Sequence, residues 1–283
     1  MLLPQTFLRQ LLQNKVGLTA SVIIVFLITI AVFAPALSTH RPFFLSEELS
    51  APPSEQHLMG TDILGRDIFS RVLWGSQVSL VYGLGVAGIA AVIGTTLGSL
   101  SGYYGGKTDD LFSRFLDIFI MIPRIFLVLI VVSLYGTNIV NSMLAVGILA
   151  WPTNARIMRA QVLTLKTRSY SQTSIGLGAS SFHVLSRHIL PNGIHPVIAN
   201  SFLEMANAIL LEGILSFLGM GDANLVSWGQ MLRIAMDSLP SWWMAFFPGL
   251  GLMLAVLGFN FLADAIYLAL NPRQKIGLKI KGN

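Results

Sequence analysis

Apolar residues run along this chain in long unbroken stretches, and polar residues gather in the intervals between them. Six stretches read as membrane-crossing helices: Gly17–Ala36, Val78–Leu100, Ile118–Tyr135, Ile139–Ala155, Val197–Met220 and Trp242–Leu270. Each is long enough, at about 17 residues or more, to cross a hydrocarbon layer of about 30 Å as helix. A membrane β-barrel needs apolar and polar residues in alternation, and these runs do not alternate. The pattern therefore predicts an all-α integral membrane protein with about six transmembrane helices.

Proline marks two of the runs. Pro123 and Pro152 are expected to kink or end their helices, because proline lacks a backbone donor and crowds the preceding turn. Ala34-Pro-Ala36 has the look of a signal cleavage site, but the apolar run is longer than a signal core. The first span is read as an uncleaved anchor.

One polar interval is unusual. Ser169–Asn192 contains no acid, carries Arg187, His183 and His188, and lies between two apolar runs. Its pattern predicts a helical hairpin. Tyr170–Leu177 forms a short helix, Gly178 closes it in a left-handed conformation, and Ser180 or Ser181 caps a second helix. Phe182, Val184, Leu185 and Ile189 give that second helix an apolar face, and Leu190-Pro191-Asn192 stops it. Such a face lies on the protein itself, on lipid headgroups, or in the groove of a soluble partner.

Composition agrees with the membrane reading. Charged residues make up 11% of 283 and hydrophobic residues 54%, with a mean hydropathy of +0.70. A soluble domain carries about 25% charged residues. There is no cysteine, which removes disulfide, thiolate-metal and thiol-nucleophile chemistry. The formal charge of +5 reflects topology, since lysine and arginine collect on the cytoplasmic side. The 37–76 connection has Arg41, Arg66 and Arg71 against Glu47, Glu48, Glu55, Asp62 and Asp67. The region after the fourth run has Arg156, Arg159, Lys166, Arg168 and Arg187 and no acid. The tail carries Arg273, Lys275, Lys279 and Lys281, and the N-terminal segment Arg9 and Lys15. This places both termini and Ser169–Asn192 in the cytoplasm, with 37–76 and 221–241 on the other side. The expected location is the plasma (inner) membrane.

Chemical candidates are few. GYYGGKTDD lacks glycine at the position a phosphate loop requires, where Ser101 stands, and follows an apolar helix instead of a strand. SLSG at Ser99–Gly102 has no histidine within a span to act as base. His57, Asp62 and Asp67 match no standard metal spacing, so no metal site is expected, and Asp67 instead caps a helix that buries Ile68, Phe69, Val72 and Leu73. Gly94, Gly98 and Gly102 form overlapping GxxxG spacings for close helix packing, within the chain or with a second chain. Glu204 and Glu212 share a helix face. Glu204 is a candidate for lining a translocation path, and Glu212 a structural partner.

From Gln172 to Pro191 the hairpin resembles the EAA loop of binding-protein-dependent ABC importers: Gln172-Thr173-Ser174, then Gly178, then His188-Ile189-Leu190-Pro191, every spacing kept. The loop departs in having Gln172 for glutamate, hydroxyl residues for both alanines and His188 for isoleucine. A tolerated Gln172→Glu change is expected if the partner presents a basic group there. HLMGTDILGRDIFSRVLWGSQVSL, EGILSFLGMG, SWGQML and FFPGLGLMLAVLGFNFLADAIYLALNPR are similar to the C-type permease of peptide/nickel importers. The resemblance spans nearly the whole chain. It implies the type I ABC importer permease fold and transport of peptides, nickel or a metal chelate, not an enzyme. It implies a second permease subunit as heterodimer, two cytoplasmic ATPase subunits that bind the ATP, an extracytoplasmic substrate-binding protein, and no cofactor or nucleic acid. It also implies that Gln172, Thr173, Ser174, Gly178, His188, Leu190 and Pro191 form the ATPase-coupling loop. The expected organisation is a cytoplasmic segment 1–16, an anchor 17–36, an extracytoplasmic loop 37–75, a permease core 76–270 containing the loop 169–192, and a basic tail 271–283. The alternative is a secondary transporter or channel subunit without an ATPase. It fits less well, for want of a clear internal repeat or many intramembrane charges.

Overall fold

The computed structural model describes residues 14–270. The expected N-terminal segment, up to residue 13, and the basic tail from 271 lie outside the described residues. Helix α1, Lys15–Val32, starts at Asn14, whose side chain accepts from the Val16 amide, and a one-residue break at Phe33 leads to α2, Ala34–Leu37. The connection that follows has no regular structure beyond an isolated bridge between Thr61 and Asp67. Helix α3 then runs unbroken over Ile68–Tyr104.

At 37 residues, α3 is about 55 Å long, well beyond a hydrocarbon layer of about 30 Å. Its first turns therefore belong to the packing of the preceding loop. His40 N–H donates to Ser70 Oγ at 3.0 Å, Arg71 Nη1 to the Pro42 carbonyl at 2.9 Å, and Gln77 Nε2 to the Ala31 carbonyl at 2.7 Å. The expected boundary at residue 76 thus falls inside a helix. Asp67 caps α3 as the sequence predicts, accepting from Ser70 N–H at 2.8 Å. Ile68, Val72 and Leu73 are buried, and Phe69 is half-buried.

The Ile118–Tyr135 run is not one helix. It belongs to α4, Gly106–Met121, and α5, Arg124–Tyr135, bent by 77° at their junction. Proline at 123 excludes the helical conformation at Ile122, which is extended with φ −82° and ψ 122°. Helix α6, Ile139–Lys166, keeps Pro152 in its interior and extends well past the expected end at Ala155. Among the described residues four helices are long and apolar enough to cross a membrane, or five if α4 and α5 form one broken span. Six were expected. The difference is α6, which has the length, at 28 residues, but is diluted by Asn141, Ser142, Asn154 and Arg156.

A short helix α7, Ser169–Gly176, and a one-turn α8, Ser181–Val184, follow. A π turn, Leu185–Ile189, passes directly into α9, Leu190–Gly193, and then α10, His195–Phe217. Helix α11, Trp228–Ala235, and α12, Trp243–Leu270, complete the fold.

Helices α3 and α6 make the most extensive pair, and Gly94, Gly98 and Gly102 are the reason. A methyl placed on Gly94 would stand 2.5 Å from Asn154 Cβ, one on Gly98 would meet the Ala155 backbone, and one on Gly102 would stand 2.9 Å from the Arg159 carbonyl. The GxxxG spacing therefore serves packing within the chain. Near the start of α3, Trp228 is fully buried between Gly75 and Gly251, and its Nε1 donates to the Val72 carbonyl at 3.1 Å.

Candidate functional site

The hairpin forms largely as its sequence predicts. Helix α7 closes through Gly178, which has φ +85°. Gly178 N–H donates to the Ile175 carbonyl at 2.9 Å, and Ala179 N–H reaches back to the Ser174 carbonyl at 3.1 Å. This pair of bonds is a Schellman motif, which uses glycine because a Cβ penalises positive φ. Ser180 caps α8, its hydroxyl accepting from His183 N–H at 3.3 Å.

Two expectations change. Leu190-Pro191-Asn192 is itself helical, and the helix ends one residue later, at Gly193, before α10 starts at His195. The π turn widens the backbone before Pro191, with Leu190 N–H bonding the Leu185 carbonyl, and so eases the clash that proline imposes on the preceding turn. Asn192 Nδ2 donates to the His188 carbonyl at 2.6 Å. Second, Val184, Leu185 and Ile189 are buried against Tyr103, Met158, Val162 and Val197, but Phe182 is 78% exposed. It stands free at the hairpin tip with Leu177, which is 84% exposed.

Gln172 and Thr173 are exposed, and Ser174 is half-exposed. Gln172 Nε2 donates to the Lys166 carbonyl at 2.8 Å, and the buried Ser171 hydroxyl to the Leu165 carbonyl at 2.9 Å. Both bonds cap the C-terminus of α6, whose last carbonyls lack helical partners. His188 is half-buried, its ring 6.3 Å from Tyr170 and 5.7 Å from His183, while Leu190 is half-buried and Pro191 exposed. A carboxylate cannot donate, so Gln172→Glu sets a negative charge against a helix C-terminus. Within the chain, then, the change removes a bond, whatever a partner presents to Gln172. Gln172→Glu is expected to weaken this cap by about 0.5–1.5 kcal/mol, read as faster amide exchange across Leu165–Ser171. Unchanged exchange would show the bond to be idle.

Of the two carboxylates on α10, Glu204 has a counterion and Glu212 does not. Glu204 is 4% exposed, and its Oε2 accepts from Arg124 Nη1 at 3.1 Å. Arg124, with Phe119, Pro123, Leu149 and Pro152, lines a cleft of about 190 Å³ at the bend between α4 and α5. Glu204 sits behind that cleft, so Arg124 is the lining group and Glu204 its counterion. Glu212 is buried and accepts from Ser216 Oγ at 2.6 Å. Asn154 and Asn200 join α6 to α10 through a buried bond of 2.9 Å, a link with no signature in the sequence. Near the hairpin, Arg159 Nη2 donates to Asp109 Oδ2 at 2.6 Å, and Asp109 also accepts from Ser101.

In the loop between α2 and α3, His57, Asp62 and Asp67 do not act as one cluster. His57 Nδ1 donates to Asp67 Oδ1 at 2.9 Å. Asp62 instead accepts from Leu64 N–H, Arg66 N–H and Arg66 Nε. The nearest set of possible metal ligands is His40, His57 and Asp67, with ligand atoms within 4.8 Å. The Thr39 hydroxyl, the Ser70 amide and His57 Nδ1 hydrogen-bond the Asp67 carboxylate, and His40 Nδ1 lies 3.9 Å from it.

Residues 94–276 match the family described as binding-protein-dependent transport system inner membrane component. This chain is a member of that family. Residues 3–53 match the N-terminal TM domain of oligopeptide transport permease C. A probable D,D-dipeptide transport system permease protein of Escherichia coli is 39% identical over 92% of this chain and 88% of its own. A dipeptide transport system permease protein of Alkalihalophilus pseudofirmus is 37% identical over 94% and 89%. An oligopeptide transport system permease protein of Bacillus subtilis is 37% identical over 93% and 87%. The chain is accordingly a C-type ABC permease subunit and a transport protein, not an enzyme, built as a multi-pass α-helical membrane protein.

Proposed function

We propose that this subunit carries small peptides across the plasma membrane in an ATP-driven importer, coupled to separate ATPase subunits through Gln172–Pro191. The observation that carries the reading is the hairpin itself. The spacing Gln172–Gly178–Pro191 holds a glycine-closed helical unit with Leu177 and Phe182 bare at its tip. Two exposed apolar side chains beside a basic, acid-free segment suit a groove in a soluble partner. In this reading the loop and both termini face the cytoplasm. Two ATPase subunits hold the ATP, a second permease completes a heterodimer, and a substrate-binding protein delivers solute from outside. A translocation path along the cleft at the α4–α5 bend would be lined by Arg124, with Glu204 of α10 as its counterion. The peptide names of the relatives favour peptides over nickel or metal chelates.

The test is reconstitution. The chain, purified with its partner subunits in proteoliposomes, is expected to take up labelled dipeptide only with ATP and with the ATPase subunits present. Full uptake by this chain alone, without ATP, would leave a secondary transporter or channel as the reading.

A further inference from the structure

Arg66, Arg71 and Arg233 line one cleft of about 370 Å³ away from the hairpin, together with Phe43, Gln230 and Asp237. Arg66 and Arg71 come from the outer loop and the first turn of α3, and Arg233 from α11. The three guanidiniums face two carboxylates. Asp62 Oδ2 lies 2.6 Å from Arg66 Nε and 3.9 Å from Arg71 Nε, and Asp237 lies at the exposed rim. One positive charge is left in excess. Arg233 forms no ion pair among the described residues; its guanidinium rests against Gly219, where φ is +86° and a Cβ would collide with it.

Two donors at the site are also unpartnered. Arg71 is 2% exposed and spends Nη1 on the Pro42 carbonyl. Its Nε, and Nη2 of Arg66, are buried with no hydrogen-bond partner among the described residues. Buried donors left unpaired are rare in native proteins, and a charged donor is the most expensive kind to leave so. A cleft within the usual size of a small-molecule site, about 300–1,000 Å³, that leaves two donors unpartnered and is long by one positive charge calls for an anion. A guanidinium fork suits carboxylate or phosphate. A single excess charge matches a carboxylate better than a doubly charged phosphate. Phe43, its ring 5.9 Å from the Arg71 guanidinium carbon, supplies an apolar wall beside the charge.

We propose that this cleft binds the carboxylate of a small molecule and, resting on the peptide-importer reading, the C-terminal carboxylate of a peptide at the extracytoplasmic face. The experiment uses the full chain with its partner subunits in nanodiscs of zwitterionic lipid. N-acetyl-dialanine, its C-terminal amide and inorganic phosphate are titrated calorimetrically, and the free peptide again in nanodiscs containing phosphatidylglycerol. Acetyl-dialanine is expected to bind at least about tenfold more tightly than the amide. Arg233→Gln should weaken it about tenfold, and Arg233→Lys less, because lysine keeps the charge without the fork. Equal binding of acid and amide, or an affinity untouched by Arg233→Gln, overturns the assignment. So does occupation by inorganic phosphate or phosphatidylglycerol that excludes the peptide. ATP-driven uptake by the wild-type assembly is read in parallel. Its failure would remove the importer reading while leaving a measured carboxylate site in place.

Discussion

Gly98→Leu is expected to destabilise the folded permease strongly. Any Cβ at this position meets the carbonyl and Cα of Ala155, and backbone cannot swing aside as a side chain can. Overpacking a tight core costs roughly 1–3 kcal/mol, and a backbone obstacle puts this site at or above the upper end. At about 2–4 °C per kcal/mol for a chain of this size class, the thermal midpoint in detergent should fall by about 6–12 °C, or the variant should fail to give a monodisperse peak. Gly88→Leu is the matched control. It lies on the same helix, is exposed, and has nothing within 4 Å of an added Cβ. Equal behaviour of the two variants would mean that the α3–α6 contact does not hold the core together.

The second large effect is on coupling. Gly178→Val is expected to reduce ATP-driven uptake at least about tenfold while the protein still inserts and purifies. Nothing lies within 4 Å of a Cβ at Gly178, so the penalty is conformational. A φ of +85° is costly for any L-residue, by about 1–2 kcal/mol, and worse for a β-branched one. The reversal of chain direction between α7 and α8 depends on that angle. Gly176→Val makes the comparison clean, because Gly176 is equally unobstructed but helical. Normal uptake by Gly178→Val would refute a coupling role for the hairpin's shape.

Local chemistry explains what could be read directly from the residues. Gly178, Ser180 and Asp67 act on backbone groups within four positions of themselves, so their roles are legible without tertiary knowledge. The GxxxG face of α3 was legible as a packing surface, but its partner was not, because Ala155 and Arg159 carry no complementary signature. Hydropathy summed over Ile118–Tyr135 is blind to direction, but Pro123 made the break between α4 and α5 legible as a kink or helix end; the size of the bend was not legible. Arg156, Arg159 and Lys166 made α6 look shorter than it is, because they end the apolar run at Ala155 while the helix continues to Lys166. Periodicity groups Phe182 with Val184, Leu185 and Ile189 on one apolar face, but only the last three are buried, and the hairpin turns Phe182 outward. The arginine cleft was invisible for a different reason: Arg66 and Arg71 meet Arg233 only after the chain has folded through most of its length. Glu204 was visible as an anomaly, a carboxylate in an apolar run, but its counterion Arg124 sits on another helix.

The π turn at Leu185–Ile189 has a geometric consequence. One extra residue in that turn shifts everything before it by about 100° around the helix axis, one residue's share of a 3.6-residue turn. It thereby fixes the compass bearing at which Leu177 and Phe182 leave the protein. With a plain α-helical register through this segment, the same sequence would point its two bare side chains to a different quarter of the horizon.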